Sequence, residues 1–339
     1  MPAIAREVAP AHRYAIITDA NVGAIYAGQV RKGFNGSEVE VFTIAPGESH
    51  KTRETWASLT DQLLARGFGR DSAVIALGGG VVGDLGGFVA GTFMRGIPVV
   101  QIPTSLMAMV DASIGGKTAV DTPAGKNLVG VFHPPAAIVV DPQVLATLPL
   151  NEMRAGFAEV VKHGVIADEP YLRGVVSGAP DLLARGGSTS DRMLAAIVRS
   201  IEIKASIVSR DEREEGLRKT LNFGHTIGHA IELISGYSLL HGEAIAVGMA
   251  LEGRLAEHIG VAEPGTVDAI TGALRAFSLP TTLPDSFESE AVIAARGSDK
   301  KARGGKTRFA LPSRIGSMAG EESGWTVAVS NDQLREVLA

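Results

Sequence analysis

The 339-residue chain contains no cysteine. Disulfides, iron–sulfur clusters and thiolate-bound zinc are therefore excluded, and any metal must be held by histidine, carboxylate or water. An excess of positive charge is also missing: the formal net charge is −5, so no nucleic-acid partner is expected. No uncharged apolar run reaches the roughly 18 residues of a membrane span. The opening M-P-A-I-A-R-E-V-A-P carries an acid and a base where a signal peptide needs an apolar stretch. A cytoplasmic protein with no membrane partner is expected. Internal repeats and low-complexity tracts are absent as well. What remains, 45% hydrophobic and 20% charged residues, is an ordinary globular composition, long enough for two domains.

The first part of the chain alternates short β-rich runs with helical patterns, which predicts a mostly parallel, Rossmann-like α/β domain over 1–149. Strands are expected at Tyr14 to Thr18, Val39 to Ile44, Ala73 to Leu77, Val99 to Ile102 and Ala137 to Val140. From 150 to 339 the texture becomes almost entirely helical, with helices expected over 151–167, 190–209, 216–234, 242–260 and 265–277. The L-P-L-N stretch at the junction offers a proline and a helix N-cap.

Three of the eight histidines fall within the seventeen residues from His225 to His241. If the predicted 216–234 helix is continuous, Arg218, Asn222, His225 and His229 form one stripe roughly 60° wide. The flanking Leu221, Phe223, Ile227, Ala230 and Ile231 favour burial over a solvated polar face, and buried polar groups need partners. An i, i+4 histidine pair can share a metal, but the general-base Glu of H-E-x-x-H is absent, which excludes a metalloprotease helix.

Between a strand and a helix lies G-G-G-V-V-G-D, where Gly78, Gly80 and Gly83 satisfy G-x-G-x-x-G. Its N–H groups can cradle a pyrophosphate, although the acid expected about twenty residues later is missing; a tight turn without ligand is the alternative. Arg95, Asp111, Lys117, Lys126 and Asn127 then punctuate an apolar, glycine-rich stretch, which fits a pocket wall with cations aimed at a phosphate better than a solvated face. Asp111 either neutralises a lysine or accepts a hydroxyl proton.

Arg95 to Asn127, A-E-V-V-K-H-G at 158 to 164, D-E-R-E-E-G-L-R at 211 to 218, N-F-G-H-T-I-G-H at 222 to 229, H-G-E at 241 to 243 and D-K-K at 299 to 301 together resemble the 3-dehydroquinate synthase family of sugar phosphate cyclases. The resemblance runs from about residue 14 to about 312. Small departures from its commonest motifs are Met109, Ala112, Asp121 and His163.

The resemblance implies a metal- and NAD-dependent lyase with its active site in the cleft between the two domains. Glu159, His225 and His241 would hold one divalent metal, zinc or cobalt. NAD would lie along Asp19, Asn21, Glu48, Lys51, Gly79, Gly80, Val81, Asp84, Thr104, Ser105, Lys117, Lys126 and Thr147. The implied substrate, 3-deoxy-D-arabino-heptulosonate 7-phosphate, is a sugar acid with an anion at each end. Lys204, Arg218 and Lys300, with Lys301 as the alternative, would meet its carboxylate; Lys117, Asn127, Asn222 and His229 would meet its phosphate. Arg95 would reach the phosphate from a second subunit, implying a homodimer. Asp111, Lys117, Lys162, Asn222 and His229 make up the implied catalytic group.

The implied reaction of the shikimate pathway, towards chorismate and the aromatic amino acids, joins transient oxidation by NAD, phosphate elimination, re-reduction and intramolecular aldol closure. The elimination proton goes either to the departing phosphate or to a group near His229. Rival readings are another cyclase acting on a heptulose phosphate without the carboxylate, a metal-dependent NAD polyol dehydrogenase, and a nucleotide-binding module without chemistry. Arg218, Asn222, His229 and D-K-K favour the first-named family.

Overall fold

The computed structural model describes residues 2–338 apart from 35, 185, 237, 285 and 297–305. The chain divides into two compact units, Met1–Leu148 and Pro149–Ala339.

The first unit is built on five strands: β1 (Arg13–Asp19), β2 (Glu38–Ile44), β3 (Ser72–Gly78), β4 (Val99–Pro103) and β7 (Ala137–Ile138). They form one parallel sheet in the order β2-β1-β3-β4-β7. Strand β3, S-A-V-I-A-L-G, is buried throughout, as a parallel strand covered on both faces must be. Alternate residues serve opposite faces. Ala15, Ile17, Val74 and Ala76 pack with Leu59, Leu63, Leu85 and Phe88, from helices α1 (Arg53–Ala65) and α2 (Gly80–Thr92). On the other face, Tyr14, Ile16 and Ile75 meet Val30 and Phe34. Burying each such aliphatic or aromatic side chain contributes about 1.5–3 kcal/mol.

The last strand is shorter than the sequence pattern predicts, pairing only through Ala137 and Ile138. The lysine-rich middle also holds an antiparallel hairpin not anticipated from the sequence, β5 (Lys117–Thr122) and β6 (Gly125–Phe132). Its apolar and polar residues alternate too irregularly to read as strands.

The second unit is mostly helical. Its principal helices are α3 (Leu150–Ala167), α4 (Asp191–Arg210), α5 (His225–Ile234), α6 (His241–His258) and α7 (Thr266–Ala276). Two short antiparallel pairs qualify the nearly all-helical expectation: Lys306–Phe309 with Val327–Ser330, and Pro312–Arg314 with Ser317–Met318.

The predicted helix over 216–234 is not continuous. A 3-10 segment, Leu217–Asn222, is followed by extended Phe223 and by Gly224 at φ 80°, and only then does α5 begin. A Cβ on Gly224 would meet Met249 Cγ at 2.4 Å and the Ile245 carbonyl at 3.0 Å, so the approach of α6 requires glycine here and the left-handed residue breaks the helix. Arg218 and Asn222 therefore do not share a helical stripe with His225 and His229. Among the described residues no helix is long and apolar enough to cross a membrane.

Candidate active site

Three helices of the second unit meet at backbone distance because glycines stand at their crossings. A Cβ on Gly242 would lie 2.0 Å from the Ala155 carbonyl oxygen, and one on Gly248 2.0 Å from that of Gly224. Helix α6 thus sits directly on α3 and α5. Consequently Glu159 from α3, His225 from α5 and His241 from α6 each bring one donor atom within 4.8 Å of the others.

The chemistry of this triad is distinctive. Glu159 is fully buried; its Oε2 is paired with the Lys162 ammonium, while Oε1 accepts no hydrogen bond and lies 3.6 Å from His225 Nε2. The Nδ1 of His225 lies 3.1 Å from the Phe223 carbonyl, which only accepts, so Nδ1 carries the proton and Nε2 presents a lone pair towards Glu159. Burial first, and then the neighbouring Lys162 ammonium, His229 and His241, hold the pKa of His225 well below its ordinary value. A neutral imidazole therefore faces a carboxylate, lone pair towards lone pair, around a space suited to a cation.

A second donor group overlaps the first. His229, Glu232 and His241 also place donor atoms within 4.8 Å of one another, and Glu232 Oε2 lies 3.4 Å from His241 Nδ1. The two groups differ in that Glu232 Oε2 lies against a nitrogen of His241, whereas Glu159 Oε1 has no hydrogen-bond donor.

Two acids in this unit escape a reading of the sequence. Glu232 is 3% exposed and Glu252 is fully buried. Glu252 accepts from the N–H groups of Gly224 (2.7 Å) and Ile227 (2.9 Å), capping from α6 the first turn of α5, whose own N-cap residue has no side chain. Burial pushes its carboxyl up to about 8, against these N–H bonds, which lower it. Its signal in the sequence is the setting A-V-G-M-A-L-E-G, an acid on a run without polar neighbours.

Lys162, Lys204 and Arg218 are all buried. Arg218 sits on a loop ordered by Asp211, whose carboxylate accepts from the N–H groups of Glu215, Gly216 and Arg218, and its guanidinium donates to the Glu212 carbonyl. Asn222 is tied to the Glu214 carboxylate. His229 is exposed on α5, its ring 5.2 Å from that of His225. His163 turns instead to Ser200 Oγ, 2.9 Å away. Lys300 and Lys301 lie outside the described residues.

In the first unit the strand order reverses between β1 and β3, and ligands of open α/β sheets bind at the carboxyl ends beside such a reversal. The tails of β1, β3 and β4 are adjacent there, with Thr18 level with Leu77 and Gly78 with Pro103. Asp19 ends β1 and Asn21 follows it, Gly79 leads into α2, which Gly80 and Val81 begin, and Thr104 and Ser105 follow β4. Asp19 Oδ1 accepts from the N–H groups of Asn21 and Val22. Thr147 bonds the Tyr26 hydroxyl at 2.7 Å.

The remaining residues form a network joining distant segments. Lys51 Nζ donates to Asp84 Oδ2 and to Asn127 Oδ1, both at 2.6 Å, while Lys126 Nζ pairs with Glu48 at 3.2 Å. Asp121 accepts from the Asn127 N–H at 2.9 Å. Burial alone would lower the Lys51 pKa, but the carboxylates of Asp84 and Glu48 outweigh it and raise the ammonium above its ordinary value. Asn127, assigned to the substrate phosphate by resemblance, thus shares a hydrogen-bond network with Lys51 and Asp84, assigned to NAD. Asp111 is half-buried on the turn Ala108–Ala112, and Lys117 is exposed at the start of β5. Arg95 is exposed, and Met94, Arg95 and Asn127 hold φ values of 52°, 70° and 54°, left-handed conformations that non-glycine residues seldom adopt.

Comparison with known proteins also divides the chain in two, at 155/156. Residues 41–155 match the family model for the 3-dehydroquinate synthase N-terminal domain, and residues 156–302 that for the C-terminal domain. The 3-dehydroquinate synthase of Caulobacter vibrioides is 46% identical over 312 residues, covering 90% of this chain and 84% of that one. That of Symbiobacterium thermophilum is 44% identical over 318 residues, covering 93% and 88%. Among solved structures, a 2-deoxy-scyllo-inosose synthase complexed with carbaglucose-6-phosphate, NAD+ and Co2+ superposes with a TM-score of 0.88 at 28% identity, covering 99% of this chain and 93% of that one.

Proposed function

The chain belongs to the 3-dehydroquinate synthase family, and from that premise we infer that it converts 3-deoxy-D-arabino-heptulosonate 7-phosphate to 3-dehydroquinate and phosphate, a step of the shikimate pathway. The conversion is redox-neutral: a secondary alcohol is oxidised, phosphate is eliminated, the carbonyl is re-reduced and the opened chain closes by an aldol step. The single observation carrying the metal part of this reading is the convergence of buried Glu159 with His225 and His241. A carboxylate oxygen without a donor, Glu159 Oε1, facing an imidazole lone pair fits a divalent cation. Glu159, His225 and His241 would hold zinc or cobalt, which would supply Lewis-acid stabilisation of alkoxide character at the alcohol. NAD, held along the tails of β1, β3 and β4 with Glu48, Lys51, Asp84 and Lys126, supplies the hydride acceptor.

The protein's own side chains supply the rest. Lys204 and Arg218 hold the substrate carboxylate, and the Asp211 loop fixes the Arg218 backbone before substrate arrives. Lys117, Asn127, Asn222 and His229 hold the phosphate. A substrate gripped at both ends reacts in an effectively unimolecular way. Lys162, against Glu159, carries protons to donate to a substrate oxygen beside the metal ligands, and exposed His229 is placed to hold a proton during elimination. The protein works as a cytoplasmic homodimer, with Arg95 reaching the partner's phosphate. Support for this comes from the exposed, left-handed Arg95 and from Leu128 and Phe132, exposed on β6.

The test is phosphate release from the heptulosonate phosphate, with catalytic NAD and zinc, alongside a heptulose phosphate that lacks the carboxylate. Turnover of the former alone is expected. Release only from the latter would assign the chain to a different cyclase.

A further inference from the structure

Glu232 has no role in the reaction as described, yet it is buried and reaches into the donor cluster. It stands seven residues after His225, so two helical turns return it to within about 20° of the same face of α5. One helix face therefore carries His225, and also a carboxylate whose Oε2 lies 3.4 Å from Nδ1 of His241 on α6. An ionised carboxylate only accepts, so the contact favours the tautomer of His241 with its proton on Nδ1 and the lone pair on Nε2.

We propose that Glu232 is a positioning residue for the metal: its buried carboxylate accepts the Nδ1–H of His241 and so fixes the orientation and tautomer in which that ring serves as a ligand. The inference rests on the reading of Glu159, His225 and His241 as the ligand set. Within that set His225 is oriented in the same manner, by the Phe223 carbonyl on its Nδ1. Both imidazoles would then be held through one nitrogen while offering the other, the usual outer-shell arrangement of histidine ligands. The competing assignment makes Glu232 itself a ligand, with His229 and His241. Glu159 is the better ligand because its Oε1 has no hydrogen-bond donor and faces the Nε2 of His225, whereas Glu232 Oε2 lies against the Nδ1 of His241.

The experiment uses the full chain stripped of metal and titrated with zinc against a chromophoric chelator, with the visible spectrum of the cobalt-loaded protein as a second readout. Loss of an outer-shell partner weakens metal binding by about 10–100-fold, and the long 3.4 Å contact sets the expectation at the lower end. E232L should bind one zinc about tenfold more weakly, with a changed cobalt spectrum. E232Q, which keeps an acceptor oxygen without the charge, should lose affinity by about threefold and shift the cobalt spectrum less. Wild-type affinity and spectrum in E232Q overturn the proposal, even if E232L does not fold. Loss of stoichiometric metal from E232Q, matching H225A, also overturns it, by making Glu232 a ligand. If the wild-type chain binds no zinc or cobalt, the ligand set itself fails, an outcome distinct from either.

Discussion

Replacing Glu252 by glutamine isolates the one buried acid that caps a helix carrying proposed ligands. Its carboxyl is raised by burial from the ordinary 4.5 to about 8, a difference of about 5 kcal/mol between its two protonation states. The N-terminus of α5 favours the anion by no more than about 2 kcal/mol, too little to cancel that. Between pH 4.5 and 8 the native protein thus keeps a proton that the unfolded chain has lost. Stability from this group is complete below the unfolded value and falls as pH rises through the window. From pH 5.5 to 7.5 the loss is about 3 kcal/mol. The glutamine variant has no such slope. Its amide accepts from only one of the two N–H groups and sets its own NH2 against the other, which costs about 1–3 kcal/mol. The variant should therefore be less stable than the parent at pH 5.5 and equal or more stable at pH 7.5. The chain has two tryptophans, Trp56 in the first unit and half-buried Trp325 in the second. In a W56F background, urea unfolding followed by Trp325 fluorescence reports the second unit alone, and histidine titrations common to both proteins cancel in the difference. A stability gap that stays constant between pH 5.5 and 7.5, in metal-free protein, would refute the raised pKa and leave Glu252 an ordinary ionised cap.

Two further outcomes follow from the donor sets. His225→Ala should abolish zinc binding and turnover together while leaving the fold intact; stoichiometric zinc with near-normal activity would remove His225 from the site. Lys51→Met breaks the bonds to Asp84 and Asn127, leaving two half-satisfied acceptors. Stability of the first unit should fall by about 1–3 kcal/mol, and NAD affinity, measured by calorimetry, should drop at least tenfold; unchanged affinity would confine Lys51 to a structural role.

What the sequence discloses and what it conceals have one physical cause. Strands such as β3, buried on both faces, are legible as apolar runs because every neighbour of the backbone is apolar. Helices α4 and α7 are legible because their partners lie on one side and leave a periodic pattern. Where glycines let backbones touch, the pattern fails. Gly224 breaks the helix expected over 216–234, so the supposed stripe of Arg218, Asn222, His225 and His229 becomes a 3-10 segment and a helix, joined at a turn that only the packing of α6 explains. The same contact seats Glu252 on the first turn of α5, a role that nothing in its own helix indicates. The i, i+4 spacing of His225 and His229 suggests a shared ion, yet His225 turns to Glu159, distant in sequence, while His229 remains at the surface. Backbone approach at Gly242 and Gly248 brings the three donors within reach of one another. Substitutions that prise α6 from α3 or α5 should therefore lose metal affinity and the anomalous titration of Glu252 together, since both depend on the same two crossings.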